Sequence, residues 1–96
     1  MITVDHIINY SKPRKLGGRS TVISNGKIGI SIVGGEMGLY GDFVETFEIA
    51  VFDLPNREFV TKHLFPEADD DVIGYVKKKE LEEIVNLLFK DNFQVL

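Results

Sequence analysis

Ser20–Val33 reads Ser-Thr-Val-Ile-Ser-Asn-Gly-Lys-Ile-Gly-Ile-Ser-Ile-Val, two β-branched runs on either side of Asn25-Gly26. A type I′ turn needs positive φ at both central positions, which Asn and Gly tolerate best, so the stretch predicts a β-hairpin. With those two residues as the loop, Ile23 faces Ile28 and Thr21 faces Ile30. Side chains alternate along a strand, so Ile28, Ile30 and Ile32 share one face while Lys27, Gly29 and Ser31 share the other.

C-terminal to the hairpin, Gly34–Asp42 holds four glycines in nine residues, which excludes regular structure and predicts a loop. Phe43–Asp53 then alternates as a strand with Phe43, Phe47, Ile49 and Val51 on one face. Leu54-Pro55-Asn56-Arg57 is a turn, and Glu58–Phe65 is expected to return as the antiparallel partner. Pro66–Asp71 is an acidic loop, and Val72–Val76 is short and apolar, a possible added strand. From about Lys78 to Lys90 the period becomes helical. Leu81, Ile84, Val85 and Leu88 form one apolar stripe, with acidic residues at the start and Lys90 at the end, as the helix dipole favours.

N-terminal to the hairpin, Ser11–Gly18 combines Pro13, Gly17 and Gly18 with three basic residues and reads as a loop. Residues 1–10 fit two readings: a helix with Val4, Ile7 and Ile8 behind an N-cap at Thr3, or a strand at Ile2–Val4. Residues 1–19 together are expected to be a mobile segment and basic loop on a single domain, 1–96. The predicted class is α+β: an antiparallel sheet of strands near 20–24, 27–33, 45–53 and 58–64, with a C-terminal helix on one face. Ile28, Ile30, Phe47, Ile49, Leu81, Ile84 and Leu88 are the expected core.

The 96 residues are 44% hydrophobic and 10% aromatic, enough apolar content for one modest core. The absence of cysteine excludes disulfides, thiolate metal sites and thiol nucleophiles, and it suits a reducing, cytoplasmic setting. No apolar run reaches the length of a membrane span, so no membrane partner is expected. Net charge is −4 but unevenly placed. Lys12, Arg14, Lys15, Arg19 and Lys27 against Asp5 leave residues 1–35 at +4, whereas ten carboxylates against Arg57 and Lys62 leave residues 36–71 at −8.

Chemistry-bearing patterns are weak. His6 and His63 lie in no ligand-spaced motif. Contiguous Asp69-Asp70-Asp71 lacks the alternating ligands, central glycine and terminal Glu of a calcium loop, and reads as a solvated turn. Glu45 and Glu48 fall on opposite faces of a strand and make no carboxylate pair. The glycine loop leads into a strand and not a helix, which disfavours a phosphate cradle. No catalytic set, metal site or cofactor is therefore expected. The basic loop, through Lys12, Arg14, Lys15 and Arg19, is a candidate for phosphate contact, with only Tyr10 nearby for stacking.

The patterns GG..GLYGD from Gly34 to Asp42, TFEIAVFD from Thr46 to Asp53 and DVIGY from Asp71 to Tyr75 resemble a group of small tailed-bacteriophage proteins with no established activity. That resemblance implies a phage origin and action by binding a host protein. The leading functional expectation is thus a non-enzymatic protein-interaction module that modulates or inhibits a host factor or binds a phage protein. Its alternatives are a nucleic-acid accessory protein using residues 11–19, or a virion structural or assembly protein. The candidate partner surface is the glycine loop. Met37, Leu39, Tyr40 and Phe43 are apolar groups that a surface loop does not need, and Asp42 supplies a charged rim. A second reading makes the same side chains a lid on the core.

Overall fold

The computed structural model describes residues 1–36, 39–90 and 92–96. The elements follow in the order α1 (Val4–Tyr10), β1 (Lys12–Pro13), β2 (Arg19–Ser24), β3 (Ile28–Gly34), β4 (Thr46–Asp53), α2 (Thr61–Leu64), β5 (Ile73–Lys77), α3 (Lys78–Phe89) and β6 (Gln94–Val95). The sheet runs β1-β2-β3-β4-β5, all antiparallel, and β6 pairs β2 beside β1. The class is the expected one, an α+β fold with consecutive antiparallel strands and a C-terminal helix. Among the described residues there are six strands, two more than predicted.

The hairpin forms with a longer turn than two residues. Ser24 pairs Gly29 and Ile23 pairs Ile30, so each strand residue meets a partner two positions beyond the predicted one. The cause is the Asn25 side chain, whose Oδ1 accepts from both the Lys27 and the Ile28 backbone N–H at 2.9 Å. These bonds close an Asx-type turn in which only Gly26 needs positive φ. A shift of two keeps the parity of the pleat, so the facing of Ile28, Ile30 and Ile32 survives.

The expected strand at 58–64 does not form. Phe59 makes one isolated bridge to Phe52, and the chain then turns into α2. The outer edge of β4 is instead shared. β5 pairs Thr46–Ile49, and the segment 58–61 serves the other half through its backbone and one side chain. Thr61, fully buried, accepts the Val51 N–H at 2.9 Å and donates to the Val51 carbonyl at 3.2 Å. A hydroxyl thus stands where a strand's peptide group would be, and the β-branched run needs no strand to satisfy its neighbour. Between Phe47 and Ile49 the β4–β5 register slips by a bulge that places Tyr75 at φ +55°.

Residues 1–10 resolve as helix, with Thr3 Oγ1 accepting from the His6 N–H at 3.2 Å. Far from loose, the N-terminal segment is docked. Ile2, Val4 and Ile7 are buried. Asn86 in α3 accepts the Ile2 N–H and donates to the Ile2 carbonyl, both at 2.8 Å, while Thr21 donates to the Ile7 carbonyl. α1 and α3 therefore cover one face of the sheet. Beneath them lie Ile23, Ile30, Ile32, Phe47, Ile49 and Val51, with Leu81, Val85 and Phe89 facing down from α3. Ile28, Ile84 and Leu88 pack at the margin of this core, half-buried, and Phe89 joins it where the stripe predicted Leu88.

Candidate functional site

The other face of the sheet has a different texture. Pairing places Ser20, Val33 and Glu48 in one cross-strand row, Val22, Ser31 and Ala50 in the next, and Ser24, Gly29 and Phe52 in a third. None of the described residues lining this face belongs to a helix. Loops border it and leave an open groove of about 470 Å³. Val22, Val33, Ala50 and Phe52 form an apolar floor, and Leu39, Val72 and Phe59 stand at its sides. Gly29 sets the depth of the floor. A Cβ built there would lie 2.5 Å from the Phe52 ring, so the glycine lets that ring lie flat on the strand. Phe59 is 56% exposed, an aromatic that the fold leaves uncovered.

Two arginines, Arg14 and Arg57, line the groove together with one acidic residue, Glu48. Neither arginine side chain has a hydrogen-bonding or ionic partner among the described residues. Glu48 is engaged at the wall, where its Oε1 accepts the Tyr40 N–H at 3.2 Å. Tyr40 in turn accepts the Tyr75 N–H on its carbonyl at 2.8 Å, and the two rings lie 6.0 Å apart at a tilt of 58°. Both rings are more than half exposed. A bulky residue at positive φ costs of order 1–3 kcal/mol, so Tyr75 is held beside Tyr40 against local strain.

The glycine loop, expected to act as interface or lid, divides its residues between the two roles. Leu39 and Tyr40 belong to the groove and its wall. Phe43 turns the other way at φ +62° and is only 4% exposed, with its ring edge-on to Phe47 at 5.1 Å. It is therefore a core residue and not a surface contact. Asp42 is a structural cap. Its Oδ1 accepts the N–H groups of Val44, Glu45 and Thr46 at 2.8–3.0 Å. These bonds, Thr46 foremost, hold its pKa at about 2 against an ordinary 3.8. Met37 lies outside the described residues.

The basic loop is not a uniform cationic patch either. Arg19 donates through Nε to Ser11 Oγ at 2.7 Å and through Nη2 to the Ser11 carbonyl at 2.8 Å, tying β2 to the end of α1. Arg14 faces the groove, which leaves Lys12 and Lys15 exposed at the turn. His6 and His63 are exposed and apart. Among the described residues no cluster of His, Asp and Glu could hold a metal ion, and no helix is long and apolar enough to cross a membrane.

Arg57, Phe59, Val33, Ala50 and Phe52 were not anticipated as site residues. The signal was present in β4, where Ile49-Ala50-Val51-Phe52 is apolar at four consecutive positions. A strand apolar on both sides has two faces to cover.

Compared with known proteins, the chain matches no family model, no curated protein and no solved structure.

Proposed function

We propose that the protein is a non-enzymatic interaction module and that the uncovered sheet face is its working surface. The observation that supports this reading most directly is the groove itself: an apolar floor lined by no helical residue among those described, with Phe59 exposed at its side and Tyr40 bonded to its Glu48. Antiparallel sheets tolerate one solvated face when that face is polar. Here the face carries Val22, Val33, Ala50 and Phe52, a composition suited to burial against something else. Exposed Tyr and Phe with a charged margin match the make-up of protein interfaces. The resemblance to small phage proteins would make the partner a host protein.

Photo-cross-linking tests the reading. A benzophenone amino acid replacing Phe59 should trap one discrete partner from the producing cell, and the same group replacing Glu83, exposed on α3, should not. Tyr40→Ala should weaken that cross-link with little change in melting temperature, since the ring is 52% exposed. Equal trapping from both positions, or none from Phe59, would sink the assignment.

A further inference from the structure

The charges on the groove say more than its apolarity does. Arg14 lies beyond the Pro13–Arg19 pair, at the end of the sheet nearest the Ser20–Val33–Glu48 row. Arg57 lies in the turn after Asp53, which pairs Ile28, and so approaches from the opposite end, beside Gly29 and Phe52. The rows at Val33 and Gly29 are four residues apart on β3, about 13 Å along the strand. The apolar floor therefore has an arginine at either end, and the one carboxylate beside it, Glu48 at the Arg14 end, is engaged with the Tyr40 N–H. In a chain with fifteen carboxylates and a net charge of −4, both guanidiniums lack a counter-ion among the described residues. Such a pair is ready to take carboxylates from elsewhere in bidentate geometry.

We propose that the groove binds an extended segment of the partner protein in which two acidic residues flank an apolar one at alternate positions, in the pattern acidic-x-apolar-x-acidic. In an extended chain residues i, i+2 and i+4 point to the same side and span about 13 Å, the distance between the Val33 and Gly29 rows of the floor, and the two arginines line the same groove from just beyond those rows. The central side chain lies on Ala50 and Phe52 while the outer carboxylates meet Arg14 and Arg57. A groove open along the strand direction suits a peptide segment, whereas a small ligand is ordinarily enclosed over most of its surface. The proposal rests on the reading that this protein acts by binding another.

The probe is a pair of capped peptides, acetyl-Gly-Glu-Thr-Phe-Thr-Glu-Gly-amide and its counterpart with Lys in place of both Glu, titrated into ¹⁵N-labelled protein. The Glu peptide should shift the amides of Ser31, Val33, Ala50 and Phe52 and bind at least about ten-fold tighter than the Lys peptide at low salt. Arg14→Glu combined with Arg57→Glu, both surface changes, should reverse the preference. Equal affinities, shifts confined to another face, or an unchanged preference in the double variant overturn the proposal. If the peptides fail while the Phe59 cross-link forms, only the charge pattern is wrong. If both fail, the interaction reading falls with it.

Discussion

Ile32 and Val33 are neighbours in one strand, yet they answer to different surroundings. Ile32 is fully buried between Thr21 and Ile49 under the helices, whereas Val33 lies between Ser20 and Glu48 on the open groove. The covered face is closed and apolar but for Thr21, whose hydroxyl is spent on the Ile7 carbonyl. The open face mixes Ser31, Gly29 and Ala50 with Val33 and Phe52, side chains too small or too flat to fill a layer by themselves. The difference teaches where each kind of constraint acts. The first face is held by its own packing, and the second is shaped but not filled, which is the condition of a surface that receives something.

Truncation separates the two faces most sharply. Ile32→Ala should cost about 2–5 kcal/mol of stability, because the helices above cannot collapse onto the cavity, while Val33→Ala should cost about 1 kcal/mol. Urea unfolding of the two variants checks this, and comparable losses would mean that the groove is as tightly packed as the core. The next effect concerns the edge where the faces meet. Thr61→Val keeps the shape but removes the hydroxyl that serves Val51, leaving a buried N–H without its acceptor. The expected loss is about 1–3 kcal/mol, again by urea unfolding. A neutral result would show that the β4 edge finds another partner.

How much of this was legible follows from where each constraint lives. The Ile28-Ile30-Ile32 alternation and the Leu81-Val85 stripe are local periodic signals, and both placed their elements correctly. Phe59-Val60-Thr61 has equally good strand propensity, but its outcome depends on a hydroxyl reaching Val51 ten residues back, a tertiary fact that propensity cannot carry. The candidate site was half visible. Leu39 and Tyr40 stand out as apolar residues among glycines and Arg14 as part of the basic loop, whereas Arg57 and Val33 are unremarkable until the sheet brings them together.

The mildest expectation lies in the loop that contributes to both faces. Asp42, fully at the surface, has a folded pKa of about 2, below its ordinary 3.8. Its stabilising bonds are therefore complete above pH 3.8 and fade as the pH falls through about 2. Amide shifts of Val44, Glu45 and Thr46 should follow that low midpoint, and Asp42→Asn should remove the titration. A midpoint at 3.8 would mean that the cap is not formed in solution.

The bonds between Ile2 and Asn86 also set an order of events. These partners are 84 residues apart, so closing them costs more chain entropy than any hairpin in the sheet. Refolding is thus expected to pair β2, β3 and β4 first and to leave Ile2 and Val4 as an unburied apolar end until α3 arrives. Pulsed amide exchange should protect Ile32 before Ile2, and simultaneous protection would refute the sequence of steps. Until that latch closes, the nascent fold exposes the side chains that make it prone to self-association. The N-terminal segment, earliest in the chain, is the last to be secured.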